Sequence, residues 1–288
     1  MTFPYTLTEP AGAALPLMVD SPHSGQARAG SLPAGLPLAA SPEALLTGWD
    51  AYVDELFEHA PAVGGTLLCA EFPRWLVDVN RARDDIDPAL VDGAMPFALR
   101  PSDKAGRGMG VLRRLALPGV PVYGAPLSPA MAEHLLKTYY DPYHAALARA
   151  MAAHHARFGA VWHLDCHSMK SRGNAMNVDH GSERPDFVIS NRDGTTCPEA
   201  FIELVGQCLR GFGYQVGINW PYKGAELVTA YSDPARGRYS LQIEINRALY
   251  LDEARFVPHD GFARLHGHLD QLLERVADHI RAELARGA

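Results

Sequence analysis

The segment His163-Leu164-Asp165-Cys166-His167-Ser168-Met169 sets two imidazoles and a carboxylate at alternate positions. In an extended chain, alternate side chains share a face, so His163, Asp165 and His167 lie opposite Leu164 and Cys166. Burying such a row is costly unless something pairs with it. A metal ion, with an imidazole as ligand and a carboxylate orienting it, meets that need. So does a hydrogen-bonded polar cluster at a strand end. A further imidazole, His23, follows the apolar run 15–19 through Asp20-Ser21-Pro22, and Ser24 and Gly25 after it are small enough to leave room for a ligand or an ion. A lone loop histidine is ordinarily just exposed. His23 gains weight if two strands deliver imidazoles to the same edge of a parallel sheet.

Three further groups carry candidate chemistry. Asp50 and Asp54 are four apart and share a helix face, as possible metal ligands or as acids favoured in an early helical turn. Val77-Asp78-Val79-Asn80-Arg81-Ala82-Arg83 sets two arginines and an amide at a strand end, able to grip a carboxylate by a bidentate fork; solvated surface arginines would read the same way. Arg74 and Arg172 are additional candidates. In Ser240-Leu241-Gln242-Ile243-Glu244-Ile245-Asn246-Arg247, Glu244 sits in an otherwise buried type of strand. There it suits a general base with a raised pKa, or an ion pair with Arg238 or Arg247. Neither Ser24 nor Ser168 forms a ready dyad with its neighbouring histidine, because sequence neighbours on a strand face opposite ways.

The elements that must position these groups follow from hydrophobic periodicity. Strands are expected at 15–19, 67–72, 75–79, 160–166, 186–190, 214–218 and 239–246. Helices are expected from Pro42 on through 50–59, over 129–140 and 142–158 with a break near Asp141-Pro142 and a stop at Gly159, around 198–209, and at the C-terminus. The last carries Leu265, Leu269, Leu272, Leu273, Val276, Ile280 and Leu284, a 3.6-residue stripe. Residues 84–110 read as a long surface excursion. This alternation implies an α/β fold: a mostly parallel sheet covered on both faces, ligands gathering beyond the carboxyl ends of its strands. No linker or repeat divides the 288 residues, so one domain, 1–288, is expected.

The formal charge of −7 argues against nucleic acid as a partner, since phosphate binding needs a basic face. An anionic small substrate would need a local arginine cluster working against the average field. Four scattered cysteines without a CxxC pair fit a reducing compartment. With no leader-like N-terminus and no run of eighteen apolar residues, the expectation is a cytoplasmic protein that engages no membrane.

Taken together, Pro22-His23-Ser24-Gly25, Val77-Asp78-Val79-Asn80-Arg81, Pro142-Tyr143-His144, Asp165-Cys166-His167-Ser168, Tyr222-Lys223-Gly224 and Gln242-Ile243-Glu244-Ile245-Asn246-Arg247 resemble the N-formylglutamate amidohydrolase family, from about residue 20 to 250. The resemblance implies a three-layer α/β/α sandwich with a mixed, mostly parallel sheet, phosphorylase/hydrolase-like and akin to the zinc carboxypeptidases. It also implies one divalent metal, Zn2+, held by His23, Asp50 and His167, with Glu244 as the base. Asp50 takes the ligand place because Ser24, Gly25 and Gln26 offer no acid after the first histidine; in the family an Asp-Trp-His-like stretch stands where this chain has Asp50-Ala51-Tyr52. Asn80, Arg81, Arg83, Arg172, Tyr222 and Lys223 would bind a small anionic N-acyl amino acid such as N-formyl-L-glutamate, in amino-acid catabolism on the histidine-degradation route. Other readings are a metallo-amidohydrolase or carboxypeptidase with a different N-acyl or peptide substrate, or a non-catalytic binder of acidic metabolites. Asp54 and His163 stand as alternatives for completing the metal set.

Overall fold

The structure is a computed structural model and describes residues 4–27 and 32–287. Among the described residues a seven-stranded sheet runs in the order Tyr5–Thr8, Thr66–Ala70, Leu17–Ser21, Val161–Met169, Arg238–Asn246, Phe187–Ser190, Val216–Ile218. The four strands from Thr66–Ala70 to Arg238–Asn246 are mutually parallel. Tyr5–Thr8 and the Phe187–Ser190 pair run against them at the two sides. The sheet is therefore mixed and mostly parallel, with helices on both faces.

Alternation sorts the strands into two apolar layers. Leu17, Val19, Leu164, Cys166, Leu241, Ile243 and Ile245 pack with helices Glu199–Gly211 and Gly261–Gly287. On that last helix Leu265, Leu269, Leu272, Leu273, Val276 and Ile280 are buried. Each such side chain removed from water contributes about 1.5–3 kcal/mol. The opposite layer puts Met18 and Leu68 against Tyr143, Ala146, Leu147 and Met151 of helix Asp141–Phe158. Gly159 ends that helix in the left-handed conformation, φ 78°, and its N–H caps the His155 carbonyl. Asp20, His163, Asp165, His167, Gln242 and Glu244 fall on the Tyr143 side of the sheet, opposite the Leu164 layer.

Three expectations are corrected. Residues 75–79 form no strand; they belong to a buried loop that crosses beyond the strand ends. The helix beginning at Pro42 stops at Leu46, and Val53–Leu56 forms a separate turn because Tyr52 takes a positive φ of 60°. Asp50 therefore does not share a continuous helix face with Asp54. The chain does not break at Asp141-Pro142. Pro142 lacks the N–H that an α-helix would use, and the backbone widens into a π-turn at Leu136–Tyr140 and continues.

Candidate active site

The Leu17–Ser21 and Val161–Met169 strands are parallel neighbours, with Asp20 opposite Asp165. His23 and His167 therefore emerge at the same end of the sheet. Their Nδ1 atoms lie 3.0 Å apart. Asp50 comes from the segment between the two short helices, its N–H bonded to the His23 carbonyl at 3.1 Å. Its Oδ2 lies 3.1 Å from His167 Nδ1 and 3.4 Å from His23 Nδ1. All three residues are buried, and their donor atoms converge.

Each ring is held from behind. His23 donates from Nε2 to Asp78 Oδ1 at 2.8 Å, which leaves the Nδ1 lone pair facing Asp50 and His167. His167 Nε2 lies 2.7 Å from Asp165 Oδ1. Asn80 sits beside it, Nδ2 3.0 Å from His167 Nε2, with Oδ1 fixed by the Leu227 N–H at 3.0 Å. Asp50 turns its other oxygen, Oδ1, to Arg247 Nη2 at 2.8 Å. The loop bearing Asp78 and Asn80 is itself tied down, since His144 donates from Nε2 to the Val79 carbonyl at 2.9 Å.

The charge balance of this cluster asks for a cation. Burial opposes a charge on His167, yet the neighbouring Asp165, Asp50 and Glu244 hold its pKa well above the ordinary histidine value. Burial and the Arg74 charge push His23 the other way, toward the neutral ring. Burial also disfavours the Asp50 carboxylate, but the hydrogen bond from His167 and the Arg247 charge keep it ionised well below the usual carboxylate range. A divalent cation among the two Nδ1 atoms and the Asp50 oxygen would meet the electrostatic demand that the raised His167 pKa expresses. Two nitrogens and one carboxylate oxygen, with carboxylates behind both rings, is a set that suits Zn2+.

Glu244 lies beside His167 in the strand register, nearly buried, and Gln242 Nε2 donates to its Oε1 at 3.2 Å. Burial, countered by the His167 charge and aided by Asp50, raises its pKa to about 7. It makes no ion pair with Arg238 or Arg247; Arg247 is taken by Asp50. A cleft opens at this end in two lobes of about 340 and 350 Å3. His167, Asn80, Gln242 and Glu244 line one lobe, while Arg113, Lys170, Arg184 and Arg247 line the other. Arg74, Arg81, Lys104 and Tyr222 face both. The chain is acidic overall, so this is a local concentration of positive charge.

The substrate candidates divide. Arg81 and Tyr222 line the cleft, as does Lys223, although that lysine is exposed and paired with Asp193 at 2.8 Å. Arg83 is a correction: it forks onto Asp141 at 2.8 and 3.1 Å and does not line the cleft. Arg172 is another, 61% exposed and paired with Glu183 at 2.8 Å. His163 lies deeper, donating to Asp20 Oδ1 at 3.0 Å and facing Ser240 Oγ at 3.1 Å, so it does not join the two other imidazoles. Asp54 is likewise outside the cluster.

Sequence reasoning missed the bracing role of Asp78, which also receives Arg74 at 2.8 Å and Arg113 at 3.2 Å, and it missed Arg113 and Lys104 as cleft residues. For Asp78 a signal existed: a carboxylate within an otherwise apolar Val77-Asp78-Val79 run. For Arg113 and Lys104 there was none, because neither the 84–110 excursion nor the residues just after it have a periodicity to orient them.

The family model for N-formylglutamate amidohydrolase matches residues 15–251. A crystal structure of N-formylglutamate amidohydrolase from Ralstonia eutropha JMP134 is 43% identical, covers 100% of both chains and superposes with a TM-score of 0.93. The N-formylglutamate deformylases of Pseudomonas putida and Pseudomonas aeruginosa are each 27% identical, over 244 and 246 residues, and the match covers 83% of this chain and 83% of theirs.

Proposed function

Since the chain belongs to the N-formylglutamate amidohydrolase family and is a hydrolase of C–N amide bonds, we propose that it removes the formyl group of N-formyl-L-glutamate or a closely similar acidic N-acyl amino acid. Formate and the free amino acid are the products. The observation that carries this reading is the meeting of His23, Asp50 and His167 beside Glu244, in an arginine-lined cleft of an otherwise acidic protein.

His23, Asp50 and His167 would hold one divalent cation, Zn2+ by the chemistry of the donors. Such an ion, when bound, supplies Lewis acidity: it brings the pKa of water down to roughly 7 and polarises a carbonyl. Glu244 accepts the proton of the attacking water as the new C–O bond forms. It then delivers that proton to the amide nitrogen as the C–N bond breaks, so the amino acid leaves as an amine. Arg74 and Arg81 neutralise charge on the cleft side, and a guanidinium fork on a substrate carboxylate fixes the acyl group relative to Glu244. Tyr222, its phenol kept neutral by burial, offers a hydrogen-bond donor to the bound substrate, with Lys223 at the rim. Asn80 acts through His167, holding its ring edge beside Asp165.

Four free thiols suit a reducing compartment, in which we place the reaction. No described helix is long and apolar enough to cross a membrane. The test is formate release from N-formyl-L-glutamate by protein stripped of metal and then resupplied with Zn2+. Release that depends on the added ion supports the reading, and no release in either state overturns it.

A further inference from the structure

The cations of the cleft are not equivalent. Arg74 and Arg113 are paired with Asp78, Arg247 with Asp50, Arg184 with Asp179 and Lys223 with Asp193. Lys104 makes no ion pair or hydrogen bond with any acid among the described residues, yet it faces both lobes of the cleft. Arg107 and Lys170 also make no ion pair among the described residues, but they line only the lobe that lacks the histidines.

The segment carrying Lys104 is braced from both ends. Ser102 donates its N–H and hydroxyl to Asp85 at 2.6 and 2.9 Å. The Met109 N–H bonds the Lys104 carbonyl at 2.8 Å, and the Met109 carbonyl in turn accepts from Arg81 Nε at 3.1 Å. The backbone under Lys104 is thus locked to the arginine beside the chemistry, while its ammonium is left without a counter-ion.

We propose that Lys104 is the specificity-determining residue of the cleft, the cation that receives the second carboxylate of a dicarboxylic substrate. This rests on the amidohydrolase reading and names the group that selects an acidic side chain over a neutral one. The charged groups facing Lys104 are Arg81, Arg74, Asp78 and Glu244, with Asp103 and Arg107 on its own segment. Lys104 is exposed on the cleft wall, and the positive charges of Arg81 and then Arg74 bring the pKa of its ammonium down to about 7. In the free cleft the neighbouring guanidinium charges thus disfavour the ammonium form. An arriving carboxylate supplies the missing partner and draws the proton back.

The experiment compares KM for N-formyl-L-glutamate and N-formyl-L-glutamine in wild type, Lys104→Met and Lys104→Arg. The charge-assisted contact predicts that Lys104→Met loses roughly 10- to 100-fold of the preference for the diacid. KM for the neutral substrate changes little. In wild type the ratio of KM for the diacid to KM for the neutral substrate rises between roughly pH 7 and 9, as the lowered pKa of the ammonium lets it lose its charge. In Lys104→Arg, which keeps its charge, that rise disappears and the preference remains. Titration of Glu244 is common to both substrates and cancels in the ratio. A Lys104→Met enzyme that keeps the wild-type preference, or a Lys104→Arg enzyme with the wild-type pH dependence, overturns the proposal while leaving the amidohydrolase reading intact. If neither formyl compound is hydrolysed, that reading falls, and glutarate binding decides on Lys104 alone: weaker binding to Lys104→Met supports it, equal binding overturns it.

Discussion

His23 and His167 stand 144 positions apart in the chain and meet Nδ1 to Nδ1 at 3.0 Å. Asp78 behind the first ring and Asp165 behind the second prevent either from turning away. A preformed, buried pair of this kind would take a cation without reorganising the strands. Excess Zn2+ should therefore stabilise the metal-stripped protein, by about 2.7 kcal/mol at a hundredfold excess over Kd. For a chain of this size that is a Tm rise of roughly 5 °C or more. His167→Ala should abolish both the rise and the bound zinc measured after dialysis. A wild-type protein with no thermal response to any divalent metal sinks the assignment.

Glu244 offers the sharpest separation of chemistry from binding. Gln keeps its size and its contact with Gln242 but cannot take a proton. Glu244→Gln should lower kcat by about 100-fold or more, the range of general-base catalysis. The zinc-dependent Tm rise should survive, because Glu244 is not among the three converging ligands. Formate release at the wild-type rate would exclude Glu244 as the base.

What the sequence made legible was whatever periodicity could orient. His163, Asp165 and His167 on one strand face, and Glu244 opposite the leucine and isoleucines of its own strand, follow from a two-residue repeat. Parallel neighbours then bring His23 and His167 to one end of the sheet, as the strand-and-helix alternation implied. Loop geometry stayed hidden. Residues 75–79 are as apolar as a strand because they are buried, yet they run as a loop that carries Asp78 and Asn80 into the cluster. Arg83 and Arg172 are chemically as suitable as Arg81, and only the turn of the chain separates them: Asp141 and Glu183 hold them elsewhere. Lys104 and Arg113 come from a segment whose path is fixed by long-range hydrogen bonds to Asp85 and Asp78, which leave no local pattern.

Gly25 shows how little freedom the loop after His23 has. The sequence suggests that its small size leaves room for a ligand, but that room is filled by backbone. A Cβ there would stand 2.4 Å from Phe72 N and 2.5 Å from Ala70 O. Gly25→Ala must displace the loop or the end of the Thr66–Ala70 strand, at a cost of about 1–3 kcal/mol. Because His23 is two residues away, the variant should also show a smaller zinc-dependent Tm rise than wild type. Wild-type stability together with a full zinc response would show that the loop tolerates the added methyl group.

Asp54 supplies a pH dependence of stability outside the site. It sits half-buried on the short helix Val53–Leu56 without an ion pair among the described residues, and burial, reinforced by Glu55 and Glu71, raises its pKa from 3.8 to about 6. The folded state therefore binds its proton more tightly than the unfolded chain does. Between pH 3.8 and about 6 the native protein holds the extra proton, so this residue's contribution to stability falls as the pH rises through that window. Above it the destabilisation is complete. Asp54→Asn carries no such charge, and its Tm advantage over wild type should be larger at pH 8 than at pH 4, on the two sides of the roughly two-unit window. Thermal melts of both proteins at the two pH values measure this directly, and an equal difference at both would show that Asp54 titrates alike in the folded and unfolded chains.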